Sequence, residues 1–452
     1  MKKKLENRKN NKSIIVSTLI FVITFIAMAG YLIYFNLTQA ESIINNSYNK
    51  RQGVLSRRTI RGSILSDDKT KLAVTNVDDD GNETRYYPYS GLFSHAIGYL
   101  NNGGYGLESL YGYYMLHSNQ NFFEQIGNDL SGNRNTGDNV VTTLNVGLQK
   151  ACYDALGSNR GAVIVMEPST GKILAMVSKP DFDPNTLAAN WSQITGEGSD
   201  SVLVNRATQG LYPPGSTFKL ITMLEYLREH KNDYGQYHYI CDGTYELGNN
   251  TINCVRTTAH GDVDLFSSLA VSCNCSFINI GLSLDLDRYK KTAEKMLFNK
   301  ELPTNLEYNK SRFVLNGESS EWDIAQTSFG QGKTVITPFH LALITCTIAN
   351  NGTLMEPYLV SSVESTNGMT VKKFKEEKYD TLITEKEASL LKKGMEQVVK
   401  DSFSWLFGGV EYTLAAKSGS AQYGTEGYEH SLYASFSPAD NPEIAVGGGG
   451  GG

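Results

Sequence analysis

No Cys-x-x-Cys and no His-Glu-x-x-His occurs in the 452 residues, so the closely spaced ligand pairs of common zinc sites are missing. Neither a metal nor any other cofactor is expected. Basic charge is not in excess: 41 lysines and arginines against 47 acidic residues give a net charge of −6. With no basic stripe along the chain, the electrostatic footprint of a nucleic-acid binder is absent. No segment repeats, which excludes solenoid and propeller architectures. Cys241 and Cys254 flank a Gly/Asn-rich stretch and could close a hairpin as a disulfide. Cys273 and Cys275 read as buried free thiols in one apolar helical run, and Cys152 and Cys346 as core.

What is present begins with a membrane signal. Lys2, Lys3, Lys4, Arg8, Lys9 and Lys12 stand against a single Glu6, and Ile14 to Phe35 then runs uncharged and mostly apolar. That length suits one helical crossing of the hydrocarbon core. A cleaved signal, the alternative, has a shorter apolar region and a small-residue cleavage site, whereas this one ends in Tyr31, Tyr34 and Phe35. Residues 1–12 are expected as a cytoplasmic tail and 13–36 as a single-pass anchor, with the remainder outside the membrane. The anchor helix is expected to continue past Asn36 and break near Asn49.

Residues 37–141 read as a small α+β module. Residues 142–446 read as a larger domain with an antiparallel sheet covered by helices. In the module, Asp-Gly-Asn near residue 81 marks a turn, and His95 and Glu108 read as structural hydrogen-bonding residues. In the larger domain a helix begins at Asn145, and Gly161–Pro168 with Lys172–Ser178 reads as a hairpin. Lys372–Lys378 reads as a charged loop. Tyr412–Gln422 and Ser431–Val446 read as paired strands. Residues 447–452, all glycine, read as a flexible tail with no side chains to pack.

Three short elements carry chemistry. Leu211-Tyr-Pro-Pro-Gly-Ser-Thr-Phe-Lys-Leu220 breaks at Pro-Pro-Gly and then favours a helix over Phe218–Leu227. Ser216 thus falls near a helix N-terminus, with Lys219 one turn later on the same face. An amine within reach of a hydroxyl suggests a serine acylated through a neighbouring lysine. Ser-x-x-Lys occurs five times, at Ser47, Ser66, Ser169, Ser216 and Ser389, but only Ser216 follows such a break and leads an apolar helix. Ser272-Cys-Asn274 lies in the helix-like run Leu265–Leu282 and offers a hydroxyl and an amide two residues apart. Lys417-Ser418-Gly419-Ser420 puts a cation and two hydroxyls on a strand, with a glycine that lets another backbone lie close.

Ser-x-x-Lys, Ser-x-Asn and Lys-Ser-Gly, in that order within one domain, resemble the penicillin-recognising acyltransferases. Arg61-Gly-Ser-Ile64, Leu72-Ala73, Phe93-x-His-x-x-Gly98 and Gly106-Leu-Glu108-x-x-Tyr111 look like the N-terminal module of class B penicillin-binding proteins. Arg206-Ala, the Pro-Gly-Ser-Thr-Phe-Lys219 run, Phe329-Gly-Gln-Gly332 and Thr337-Pro338 look like their catalytic domain.

The resemblance implies the α+β penicillin-binding transpeptidase fold and a membrane-anchored, serine-type peptidoglycan D,D-transpeptidase that cross-links D-Ala-D-Ala stem peptides and is trapped by β-lactams. Ser216 would be the nucleophile, Lys219 its base and Ser272 a proton relay. Asn274 would hold the peptide amide, and Lys417, Ser418, Gly419 and Ser420 the terminal carboxylate. Residues 37–141 are too few for a glycosyltransferase domain, so the family implies a separate polytopic glycosyltransferase partner in the membrane. Family members usually continue past Ile444-Ala-Val446 with more strand and a covering helix, so either a sheet face is left uncovered here or the sequence is a truncated one. That departure keeps a catalytically impaired scaffold as the alternative, with a serine β-lactamase behind it.

Overall fold

The computed structural model describes residues 2–38, 59–196, 198–423 and 428–451. Helix α1, Lys2–Thr38, contains the apolar span Ile14–Phe35, with mean hydropathy 2.3 and none of it buried against the rest of the protein. Its expected extension toward Asn49, with the Ser47–Lys50 pair, lies outside the described residues.

The module's strands are short and follow the apolar pattern: β1 is Ile64–Leu65, β2 Lys71–Val77, β3 Glu83–Tyr86 and β4 Asn139–Thr142. The turn between β2 and β3 closes where the Asp78 carboxylate accepts from Asp80 N and Asn82 N. Glu108 is fully buried and bridges Arg61 Nε at 2.8 Å and Arg85 Nε at 2.7 Å. Removing Glu108 would leave two buried guanidinium groups without their counter-charge, so Glu108 holds the module together. His95 is buried too, 3.3 Å from Pro180 O of the following domain. Both residues are structural.

In the larger domain α2, Val146–Leu156, starts at Asn145, whose side chain accepts from Leu148 N. The hairpin β5, Gly161–Met166, and β6, Ile173–Lys179, follows. Helix α3 is Lys219–Glu229. A small lobe carries β7, His238–Cys241, β8, Thr244–Leu247, β9, Asn250–Asn253, and β10, Gly261–Asp264. Then come α4, Leu265–Ala270, α5, Asn274–Ser283, and α6, Pro338–Ala349. The hairpin β11, Val360–Glu364, and β12, Thr370–Lys373, precedes α7, Glu385–Ser402. Strands β13, Ala415–Tyr423, β14, Tyr428–Ser437, and β15, Ile444–Gly451, complete the domain.

The catalytic sheet is antiparallel in the order β13-β14-β15-β5-β6. This corrects the expected glycine tail: Gly447–Gly451 belong to the central strand, paired with β14 from Gly447↔Ala434 to Gly451↔His430 and with β5 from Gly447↔Ile164 to Gly450↔Gly161. A strand's ladder is made by backbone groups, so lack of side chains does not prevent pairing when both neighbours are fixed. Lack of Cβ is even required, since one at Gly447 would lie 2.6 Å from Ala342 N of α6. On the sheet, α2 covers Val165, Ala175 and Val177.

A second difference concerns Lys372–Lys378, expected as a loop. Lys372 and Lys373 fall in β12, and the β11–β12 hairpin extends the module's own sheet, ordered β12-β11-β4-β1-β2-β3. Apolar core runs unbroken from Ile64 and Leu72 to Phe218, Ile344 and Phe436.

Candidate active site

Gly215 turns the chain with φ +54°, and Gly215–Phe218 forms a 3-10 turn that feeds α3 at Lys219. Ser216 sits half-buried on that turn. Two partners hold the turn from opposite sides. Gly215 N donates to Gly330 O at 2.8 Å, and a Cβ on Gly330 would strike Gly215 O. A Cβ on Gly215 would lie 2.7 Å from Ser420 O of β13. Close backbone contact is therefore what the glycines of Pro-Gly-Ser and Phe-Gly-Gln-Gly provide.

The expected helix through Leu265–Leu282 is broken at the chemistry. Helix α4 ends at Ala270 and α5 starts at Asn274, capped by Cys273, whose sulfur accepts from Ser276 N. Between them Ser272 adopts φ +56°, a strained conformation for a residue with a Cβ. The strain has a visible return: it aims both the carbonyl and the hydroxyl of Ser272 at Lys219.

Lys219 Nζ donates to Ser272 O at 2.7 Å and Asn274 Oδ1 at 2.8 Å, and lies 3.3 Å from Ser272 Oγ. From the strand side, Lys417 Nζ donates to Ser272 Oγ at 3.0 Å and Ser418 O at 2.9 Å. Asn274 Nδ2 in turn donates to Asn253 O in the small lobe. Ser418 is half-buried and Ser420 exposed on the same strand, and a Cβ on Gly419 would lie 3.0 Å from Ser216 N. All eight residues singled out from the sequence thus meet around one hydroxyl and one turn.

Both lysines are fully buried. Burial pushes the Lys219 ammonium down to about 8, against an upward pull from the nearby thiols. Burial, and the like charge of Lys219, push Lys417 well below the ordinary lysine range. An amine that loses its proton near neutral pH can act as a general base. Two contributors went unassigned in the sequence: Gly330, visible only as part of a motif, and the Asn253 carbonyl, for which no sequence signal exists.

A nucleophile turn at the head of a buried helix, against the edge strand of a five-stranded antiparallel sheet, defines a serine acyltransferase of the penicillin-recognising class. Residues 161–448 match the penicillin-binding protein transpeptidase domain and residues 61–140 the penicillin-binding protein A dimerisation domain. The chain belongs to the penicillin-binding transpeptidase family. Peptidoglycan D,D-transpeptidase PbpA of Mycolicibacterium smegmatis is 31% identical over 393 residues, 81% of this chain and 77% of that one. Stage V sporulation protein D of Bacillus subtilis is 25% identical over 90% of this chain and 68% of that protein. Penicillin-binding protein A from M. tuberculosis, solved as a ceftriaxone acyl-enzyme complex, superposes with a TM-score of 0.79 at 28% identity, covering 87% of this chain and 93% of that one.

Proposed function

We propose that the chain is a membrane-anchored peptidoglycan D,D-transpeptidase working through an acyl-enzyme on Ser216. The observation that carries this is the convergence of two buried lysines, one from α3 and one from β13, on Ser272 beside the Ser216 turn. Lys219, neutral, takes the Ser216 proton as the oxygen attacks the penultimate D-Ala carbonyl. The tetrahedral intermediate's oxyanion is held by Ser216 N and Ser420 N, on the two backbones that approach closely at Gly215 and Gly419. Collapse breaks the peptide C–N bond, and the proton passes from Lys219 through Ser272 to the departing D-Ala amine.

The acyl carbonyl then accepts an amine from a second stem peptide, whose proton returns by the same path, and Ser216 is freed. Asn274 holds the donor's amide. Ser418 and Ser420 face its terminal carboxylate, with Lys417 supplying charge from behind, since its Nζ is turned inward to Ser272. A β-lactam enters as the donor and stays at the acyl stage.

The basic residues before Ile14 favour the cytoplasmic side, which puts the catalytic domain outside. A polytopic glycosyltransferase would supply the glycan strands, docking on α1 and the module. The scaffold alternative drew on the further strand and covering helix that family members carry past Val446; Gly447–Gly451 supply strand there by pairing with β14 and β5.

Labelling by a fluorescent penicillin tests the reading. Wild type should hold a stable label that Ser216→Ala lacks. No label on folded wild type would sink the enzyme and revive the scaffold, and a label that forms and quickly disappears would mark a β-lactamase.

A further inference from the structure

Helix α3 begins at Lys219 and, less than two turns further on, carries a buried acid that the acylation steps above leave unused, Glu225. Its partners sit mainly on one helix, Leu286–Lys295, which packs along α3. Thr292 Oγ1 donates to Glu225 Oε2. Glu225 Oε1 is buried without a hydrogen bond, although Arg288 Nε lies 3.3 Å away. Glu229, one turn along α3, sits beside the same carboxyl group and shares Arg288 with it, at 3.7 Å. Glu229 Oε1 also accepts from Asp285 N at 3.1 Å. Behind Thr292, Arg228 Nη1 donates to Thr292 Oγ1 and Arg228 Nε to Glu387 of α7, each at 2.7 Å. Helix α5, also packed on α3, brings no ionisable side chain except Cys275.

A buried carboxylate oxygen that receives no hydrogen bond is costly. A proton on Oε1 turns that acceptor into a donor, with the Glu229 carboxylate beside it to accept. Charge balance asks for the same proton. Arg228 and Arg288 match Glu229 and Glu387, so an ionised Glu225 is one buried negative charge in excess, and the exposed Asp285 adds to it. Burial first, and then the neighbouring Glu229, push Glu225 up to about 7, against a downward pull from Thr292 and Arg288.

The helix that holds Glu225 also holds the nucleophile turn. Tyr289 Oη and Thr222 Oγ1 of α3 are 2.6 Å apart, and Thr222 Oγ1 donates to Ser328 O at 2.8 Å. Two residues on, Gly330 O accepts from Gly215 N. Leu286–Lys295 thus registers both α3, which begins at Lys219, and the segment that pins Gly215. We propose that Glu225 and Glu229 share one proton, which makes this helix contact an acid-tightened clamp behind the Ser216 turn. With the proton in place Glu225 donates to Glu229 and accepts from Thr292, and the buried charges balance. When the proton leaves to solvent, two carboxylates compete for Arg288 and the contact weakens, with nothing altered in the three motifs themselves. The folded chain binds this proton more tightly than an unfolded one, whose glutamates ionise at about 4.3. The stabilisation is therefore full below about pH 4.3 and lost as pH rises through about 7.

The test uses the detergent-solubilised full chain, isotopically labelled at its glutamate carboxyl carbons and followed by infrared spectroscopy as pH is raised. A protonated glutamate carbonyl band should vanish with a midpoint near about pH 7 and be absent from Glu225→Gln. Glu225→Gln keeps a donor facing Glu229 but has no proton to lose. It should melt within about 1 °C of wild type near pH 5 and at least about 2 °C above it near pH 8. Should that variant fail to fold, Glu229→Gln takes its place, and the band's midpoint should fall by at least about one pH unit. Wild type with no such band near pH 6, a band that persists in Glu225→Gln, or a melting difference that is the same at both pH values overturns the clamp. A midpoint unmoved by Glu229→Gln also overturns it, since the proton is then not shared. Neither readout involves penicillin, so failure here leaves the acyl-enzyme reading standing.

Discussion

Strands β13 and β15 flank β14 and use glycine in opposite ways. In β13 a single glycine, Gly419, sits against the backbone of the Ser216 turn, where a Cβ would lie 2.8 Å from Pro214 O and 3.0 Å from Ser216 N. In β15 five glycines follow one another, and their surroundings differ. Gly447 is pressed against Ala342 and Gly450 against Arg160 O, while at Gly449 the nearest contact is the end of Leu432, 3.3 Å away. A glycine therefore matters through what lies opposite it, not through how many stand together.

The largest effect should come from the one glycine in β13. Gly419→Val should force the strand off the Ser216 turn and lower penicillin acylation at least about 100-fold, the scale of losing an oxyanion donor. Stopped-flow labelling with an unchanged melting midpoint would confirm it, and near-normal rates would break the comparison. Next is the burial of Lys219 against the Ser272 segment that Lys417 of β13 also contacts. Lys219 serves as base only when neutral, and its pKa is lowered to about 8. Acylation should fall about tenfold per unit below pH 8 and level off above it. A midpoint near the ordinary lysine value of about 10.4 would show that the burial is not felt.

In β15 the effects should be on stability alone. Gly447→Val should overpack α6 and destabilise by about 1–3 kcal/mol, seen as a lower melting midpoint. Gly449→Ala should change stability by less than about 1 kcal/mol, because only a side-chain end must move. Equal losses at both positions would mean that the run acts as a unit.

The three motifs were legible because each carries its own local signal: Pro-Pro-Gly before Ser216, the paired polar groups of Ser272 and Asn274, the cation and hydroxyls of Lys417–Ser420. Their convergence was legible only through their order. The break at Ser272 was hidden, because the apolar period of Leu265–Leu282 runs on through it and the φ of +56° is stabilised by Lys219, far away in sequence. The glycine strand was hidden for a different reason. Alternation is written in side chains, and β15 beyond Val446 has none, so its place is set by β14 and β5. Likewise the buried cluster of Cys241, Cys254, Cys273 and Cys275 is assembled from three separate segments, each bland by itself.

The hairpin β11–β12 ties the module's sheet to residues far downstream of it. A gene crossover falling between codons 142 and 360 would join half of one such sheet to half of another. Chimaeras of two homologues joined between residues 142 and 360 should therefore melt lower than chimaeras joined outside residues 64 to 373.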